Sequence, residues 1–331
     1  IAIFSSMTSP ALSILCPVYN ALPFLTELLT SLRRQTARDW EAILVDDGSR
    51  DESQAVLAET IRADVRFRVI AQRNAGICGA RNRALEALRG RAFMHLDQDD
   101  ILPPYAVEVL EQGARESGAA LVVGRMCPFS ETPPPLDASP GYTLLEGARW
   151  REELIAAITN PLHGGLAFPS WNKRYDRAAF GAFRFLPVRY GDDTYYTPLT
   201  HLAVSRACLL NAVTYFWRTG HTSGSCGTCS PVWIAGYAQA LAQAAALPIE
   251  PRFRRAYHRA LMTPFKWVGH TLIRFWIAPG TVRRNAEAAQ AIREVFAVLL
   301  PRALELPLKW RLRLWVMRRG WWRLAQMLCR K

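Results

Sequence analysis

The chain has 331 residues, half of them hydrophobic, with a formal net charge of +13 and seven cysteines. That length and apolar content suit one large domain or two smaller ones with a substantial core, and argue against a disordered chain. The cysteines, at 16, 78, 127, 208, 226, 229 and 329, are odd in number and scattered, which argues against a disulfide framework.

The opening IAIFSSMTSP has no basic region and too short an apolar run for a signal peptide, which points to the cytoplasm. LSILCPV then reads as a buried strand. Leu22, Leu25, Leu28, Leu29 and Leu32 follow at helical spacing, and EAILV reads as a second strand. Ser49 and Glu52 have the spacing of a capping box, with Ala55, Leu57 and Ile61 on the helix behind it. RFRVIA is a third strand, CGARNRALEALRG a helix ended by Gly90, RAFMHL a fourth strand and LVVG a fifth. ETPPPLDASPG, 131 to 141, reads as a loop after that strand.

Strands alternating with helices imply βαβ units and a parallel sheet. Ligands of such sheets lie beyond the carboxyl ends of the strands. Here those ends are polar: Pro17-Val-Tyr19-Asn20, Asp46-Asp47-Gly48-Ser49, Asn74-Ala-Gly76 and Asp97-Gln-Asp99-Asp100. Turn formation accounts for Asp, Asn and Gly at such places. It does not require carboxylates at two separate strand ends. Neither GxGxxG nor GxxxxGK[ST] occurs, which disfavours a dinucleotide fold and a P-loop.

SILCPVYNALPFLTELLTSLRRQT, ILVDDGSRDES, RNAGICGARNRALEAL and FMHLDQDD resemble, in order, successive blocks of the family 2 inverting glycosyltransferases. The resemblance is close over about 12 to 125 and looser to about 226. It implies an α/β GT-A nucleotide-sugar-binding fold with a central, mostly parallel sheet; the residues after it read on their own as a basic α-helical segment. The implied division is a catalytic domain over 10–226, with a nucleotide-binding half 10–125 and an acceptor half 126–226, and a helical, basic, Trp-rich region over 227–331.

By this resemblance Pro17, Tyr19 and Asn20 line the nucleotide pocket, and Asp46 or Asp47 holds the base or ribose, with Asp46 favoured. Asn74, Gly76, Arg81 and Asn82 lie near the nucleotide; a plain surface role for Arg81 is the alternative. Asp97-Gln-Asp99 matches the DxD motif. Carboxylates cannot bind a diphosphate directly, but a divalent cation, Mn²⁺ or Mg²⁺, joins the two and stabilises the departing nucleoside diphosphate. Asp99 is the expected ligand, with Asp97 near the ribose or in the metal shell. Inversion also needs a base for the acceptor hydroxyl. In RYGDDTYY, Asp193 matches the base and Asp192 its neighbour, although the family pair is Glu-Asp. SWNKRYDRAAF places Trp171 and Lys173 towards donor or acceptor, and YFWRTGHTSGS places Arg218, His221 and Ser223 towards the diphosphate.

Cys226 and Cys229 have ligand-like spacing, but a zinc site needs about four ligands and no second CxxC accompanies them. They read as part of a Gly/Ser-rich loop. Residues 251–331 hold 18 Lys and Arg against three Glu, so the basic excess belongs to the C-terminal segment. Six of the eleven tryptophans lie there. Trp310, Leu314, Met317, Trp321, Leu324 and Leu328 form one helical stripe flanked by arginines. This pattern fits an interfacial helix on an anionic membrane surface; packing on its own domain is the alternative, and no nucleic-acid motif is present.

The expected protein is an enzyme, a hexosyltransferase-type glycosyltransferase on the inner face of a bacterial inner membrane. Its partners are a nucleotide-diphosphate sugar donor, UDP-linked, and a glycan or lipid-linked saccharide acceptor of the envelope. A non-catalytic GT-A scaffold binding nucleotide and membrane is the alternative. A nucleotidyltransferase is a weaker one, because PVYNALPF is not a Gly-rich basic loop.

Overall fold

A computed structural model describes residues 9–136, 141–159, 166, 169–187, 192–220, 239–261 and 315. The chain divides into two compact units. One comprises Ile1–Gly147, Ser170–Arg184 and Ala203–Gly220; the other comprises Ala148–Pro169, Phe185–Leu202 and His221–Lys331.

The first unit is built on one eight-stranded sheet in the order β3-β2-β1-β4-β7-β5-β8-β6. β1 (Leu12–Val18) and β2 (Trp40–Asp46) are buried along their whole length. This explains why both read as mainly apolar runs, parallel strands covered on both faces having no polar side; the buried Ser13 of β1 and Glu41 of β2 bond each other at 2.7 Å. β1 pairs in parallel with β2 on one side and β4 (Ala92–His95) on the other, and β3 (Phe67–Ala71) adds in parallel to β2. The chain therefore winds outward from β1 to β3 and then returns to β4. The crevice between the carboxyl ends of β1 and β4 is the switch point of the sheet, where such folds hold ligands.

α1 (Leu22–Arg33) buries Leu25, Leu28, Leu29 and Leu32, one face at steps of three and four. Leu22 is outside that face, 39% exposed. The expected capping box at Ser49 and Glu52 does not form. α2 (Ser53–Ala63) starts later and has no side-chain cap. Instead Ser49 Oγ and Ser53 Oγ accept from the N–H groups of Asn20 and Ala21, and Asp51 Oδ2 accepts from that of Leu22. Ser49 and Ser53 thus satisfy orphan amides around the start of α1, while Asp51 serves both helices, its Oδ1 accepting from Ser53 N at the start of α2.

α3 (Gly76–Ala87) begins before the predicted helix and ends before Gly90. Gly90 has another reason to be glycine: a Cβ there would meet the Ala92 carbonyl at 2.6 Å and the Ser13 amide at 2.7 Å. α4 (Ala106–Ser117), absent from the sequence reading, stops at Gly118, whose φ of 63° is the left-handed cap glycine accepts readily.

The far half of the sheet is mixed. β5 (Leu121–Phe129) is longer than LVVG and pairs in parallel with β8 (Arg206–Arg218). β6 (Tyr142–Glu146) is antiparallel to β8, and β7 (Lys173–Asp176) is antiparallel to both β4 and β5. β7 reads as polar because Lys173 and Arg174 are buried there. Arg174 pairs with Glu111 of α4 at 2.8 Å.

In the second unit, α5 (Gly147–Thr159) packs Trp150 on His201 of α7 (Asp192–Leu202), rings 5.5 Å apart. Arg151 of α5 donates to the last carbonyls of α7, those of His201 and Leu202. Phe185 stacks on Tyr196 at 3.8 Å. α6 (Arg177–Phe180), in the first unit, is a single turn capped by Asp176. Among the described residues, no helix is long and apolar enough to cross a membrane. The C-terminal stripe, Trp310, Leu314, Met317, Trp321, Leu324 and Leu328, lies outside the described residues; Trp315, the one described residue after 261, is helical and 42% exposed.

Candidate active site

Because β1 to β4 are mutually parallel, the polar segments that follow them emerge on one edge of the first unit. Val18 O accepts from Asp47 N at 2.8 Å, so the exits of β1 and β2 are coupled directly. Pro17 lies inside β1, paired with Val45. Tyr19 is 40% exposed, and Asn20 takes a left-handed φ of 49°, which Asn tolerates better than most residues. Asn20 Oδ1 accepts from Arg50 N at 2.8 Å, completing the turn.

The two candidates after β2 separate cleanly. Asp47 is consumed by structure: Oδ1 accepts from Gln72 Nε2 (2.7 Å) and Ala75 N (2.8 Å), and Oδ2 from Gly76 N (2.9 Å). It satisfies amides at the start of α3. Asp46 is 2% exposed, and its Oδ1 accepts from Ser49 N at 3.0 Å. Its Oδ2 has no hydrogen-bond partner. A buried carboxylate oxygen without a partner is costly and marks a place where a ligand donor fits. Gly48, at φ 77°, lets this turn approach the next loop: a Cβ there would meet Asn74 N at 3.2 Å. Asn74 and Gly76 are both exposed, and Asn82 is half-buried on α3.

Arg81 is no surface residue. It is 2% exposed, and its guanidinium donates to Asp97 Oδ1 at 2.7 Å. Asp97, Asp99 and Asp100 crowd the exit of β4. Asp100 is anchored: Oδ1 accepts from Arg218 N at 2.7 Å and Oδ2 from the Tyr215 hydroxyl at 2.7 Å. Tyr215 also accepts from Asp97 N at 3.1 Å. Arg218 Nε donates to the Asp99 carbonyl at 2.8 Å; its Nη2 bonds Glu27, and the guanidinium lies 4.5 Å over the Phe129 ring. Arg218 thus ties the aspartate turn to α1.

Burial, with Asp97 and Asp99 alongside, pushes the Asp100 carboxyl up to about 8. Burial and the same acids raise the Cys16 thiol. In His95, beneath the turn, burial lowers the imidazole, with Arg81 and Lys173 adding to the effect. Burial first, and the neighbouring acids second, thus disfavour a further negative charge on this turn, a cost that a cation would relieve. Among the described residues, no group of three His, Cys, Asp or Glu side chains suits a metal ion. The donor chemistry fits a cation held by one or two carboxylates and completed by phosphate and water oxygens.

Lys173 is fully buried, its ammonium donating to Asn172 Oδ1 at 2.8 Å and to the Trp171 carbonyl. Trp171 stacks on Tyr215 at 4.5 Å and on Trp217 at 6.4 Å. Asp192 and Asp193 are the first residues of α7, in the second unit, where a helix N-terminus favours carboxylates. His221, Ser223, Cys226 and Cys229 lie outside the described residues. The first unit thus gathers Tyr19, Asn20, Asp46, Asp47, Asn74, Gly76, Arg81, Asp97, Asp99 and Arg218 around the strand exits. Sequence reasoning missed Tyr215 and Gln98. Tyr215 lies 115 residues from Asp100, beyond any local pattern. Gln98, between Asp97 and Asp99, bonds Tyr19 with its side chain.

Residues 13–162 match the family model described as Glycosyl transferase family 2. The putative glycosyltransferase EpsH of Bacillus subtilis is 30% identical over 217 residues, 64% of this chain and 62% of that protein. Glycosyltransferase GlyA of Streptococcus pneumoniae is 27% identical over 70% of this chain and 33% of its own length. The chain thus spans between a third and about three fifths of these relatives. The crystal structure of S. aureus TarS 1-349 in complex with UDP-GlcNAc has a TM-score of 0.75 at 18% identity, covering 96% of this chain and 90% of that one. Mannosyltransferase PcManGT from Pyrobaculum calidifontis, in complex with GDP-Man and Mn²⁺, has a TM-score of 0.56 at 15% identity, covering 97% and 87%. Such identities speak for the fold alone. The family match thus covers a little under half of the chain, and with the sheet order the structural matches show that the chain has the GT-A fold.

Proposed function

We propose that this protein is a metal-dependent inverting glycosyltransferase of bacterial envelope polysaccharide synthesis, moving a sugar from a UDP-sugar to a glycan or lipid-linked acceptor. The observation that carries this reading is the pairing, at one sheet edge, of a buried carboxylate oxygen lacking a partner, Asp46 Oδ2, with the acidic turn of Asp97, Asp99 and Asp100. The first suits a neutral N–H or O–H donor on a base or ribose. The second suits a cation shared with a diphosphate. Neighbours solved with UDP, UDP-GlcNAc and, in PcManGT, GDP-Man with Mn²⁺ support that class of donor.

Asp99, with Asp97 beside it, would hold a divalent cation, which when bound neutralises the charge developing on the departing diphosphate. Asp46 orients the nucleoside, with Pro17, Tyr19, Asn20, Asn74, Gly76 and Asn82 around it. Arg81 fixes Asp97 and adds positive charge beside the diphosphate. Trp171, Lys173 and Arg218 support this edge, and His221, outside the described residues, is assigned to the donor by resemblance. Asp193 accepts the proton of the acceptor hydroxyl as that oxygen attacks the sugar carbon, and Asp192 flanks it. The catalytic domain spans 10–226, and the basic region from 227 onward holds the enzyme on the anionic cytoplasmic leaflet.

Calorimetry with UDP, and in parallel GDP, tests the reading with Mn²⁺, with EDTA and in Asp99→Ala. Binding that needs both Mn²⁺ and Asp99 is the expected result. No metal-dependent binding of either diphosphate would overturn it.

A further inference from the structure

β4 pairs along its whole length, but only with the first four residues of β1. Their register runs from Leu12 opposite Ala92 to Leu15 opposite His95, and among the described residues the last backbone bond between them runs from Leu96 N to Leu15 O. Beyond it the two exits part to form the switch-point crevice. The side chain of Gln98 then spans that crevice. Its Oε1 accepts from Tyr19 N at 2.6 Å, and its Nε2 donates to Tyr19 O at 3.2 Å.

A primary amide carries a donor and an acceptor together, as a peptide group does. Gln98 therefore acts as one more rung of the ladder, supplied by a side chain where the backbones have separated. Glutamate at this position would only accept, lysine would only donate, and asparagine is one methylene shorter. On its other side the same turn is held by Ser49 and Arg50, through Asn20. Tyr19 and Asn20 are thus fixed from β2 and from β4 at once.

We propose that Gln98 is a positioning residue, whose amide latches the Tyr19–Asn20 turn to the aspartate turn and so holds the crevice in the shape that receives a nucleoside diphosphate. This rests on the donor-site reading above. It assigns a role to the middle residue of the motif, flanked by the two acids expected to meet the cation. Both bonds lie at the surface, so their loss costs little global stability. Without the latch, the binding-competent turn is only a fraction of the population, and apparent affinity falls by that fraction.

The test is Gln98→Met, which keeps the side chain's bulk and removes both bonds. Two quantities are read against the wild type: UDP and GDP affinity with Mn²⁺, and amide exchange at Tyr19 by NMR. The expected result is affinity lower by about tenfold, faster exchange at Tyr19, and an unchanged thermal midpoint. Unchanged Tyr19 exchange would overturn the latch. Faster exchange with unchanged affinity would overturn its role in binding. A wild-type protein that binds neither diphosphate overturns the donor site itself, and is told apart because the wild type then fails with the variant.

Discussion

The Tyr215 hydroxyl donates to the Asp100 carboxylate at 2.7 Å, across 115 residues of sequence, and accepts from the Asp97 amide at 3.1 Å. One phenol thereby closes the aspartate turn, holding its first backbone amide and its last side chain. Tyr215 is itself fully buried, and burial with Asp100 beside it raises its own ionisation far above the ordinary range, so it remains a donor.

Tyr215→Phe removes that clasp while keeping the ring and its stacking on Trp171. It leaves a buried carboxyl and an amide short of partners, at a cost of about 1–3 kcal/mol. Urea unfolding measures this. Metal-dependent UDP affinity should fall with it, because the spacing of Asp97 and Asp99 is no longer held.

The two aspartates after β2 should respond in opposite ways. Asp47→Ala strips three bonds from the loop and the start of α3, and should destabilise the fold by about 2 kcal/mol. Asp46→Asn keeps an acceptor for Ser49 N and should leave the thermal midpoint nearly unchanged while weakening nucleotide binding. Equal loss of stability in both variants would contradict this division.

Arg81→Met should leave the Asp97 carboxylate without its ion-pair partner. The pair is largely buried, with side chains 2% and 25% exposed, so the loss is about 3 kcal/mol. Arg81→Lys keeps the charge but not the planar fork, and should recover only part of that stability. Paired chemical-denaturation curves check both.

Gly124→Ala should be poorly tolerated. A Cβ there would meet Thr214 Oγ1 at 1.9 Å, at the point where the β5–β8 register shifts. Overpacking of this kind costs about 1–3 kcal/mol. Thr214→Ser removes the nearby methyl and should relieve part of the strain in the double variant. A Gly124→Ala protein as stable as the wild type would show that β8 moves aside freely.

The half of the sheet built from βαβ units was legible because its signals are local. LSILCPV and WEAILVD are buried on both faces, so burial leaves a mainly apolar run in the sequence. The leucines of α1 repeat with the period of a helix. β7 carried no such signal: its first two residues, Lys173 and Arg174, are buried, and what makes Arg174 tolerable there is Glu111, 63 residues away. α4 was readable in principle, from Ala106, Val107, Leu110 and Gly113 ahead of Gly118.

By itself the sequence determined the parallel core and the polar, acidic strand exits at which a ligand site would lie. These follow from periodicity and from which residues end a strand. Only the tertiary structure decided how those residues divide their tasks. It bonded both oxygens of Asp47 and left Asp46 Oδ2 without a partner, buried Arg81 against Asp97, and brought Tyr215, Gln98 and Arg218 to the turns they hold. The physical reason is that a hydrogen bond is set by distance in space. A carboxylate's partners are chosen by the fold, and adjacent aspartates identical in sequence acquire different work.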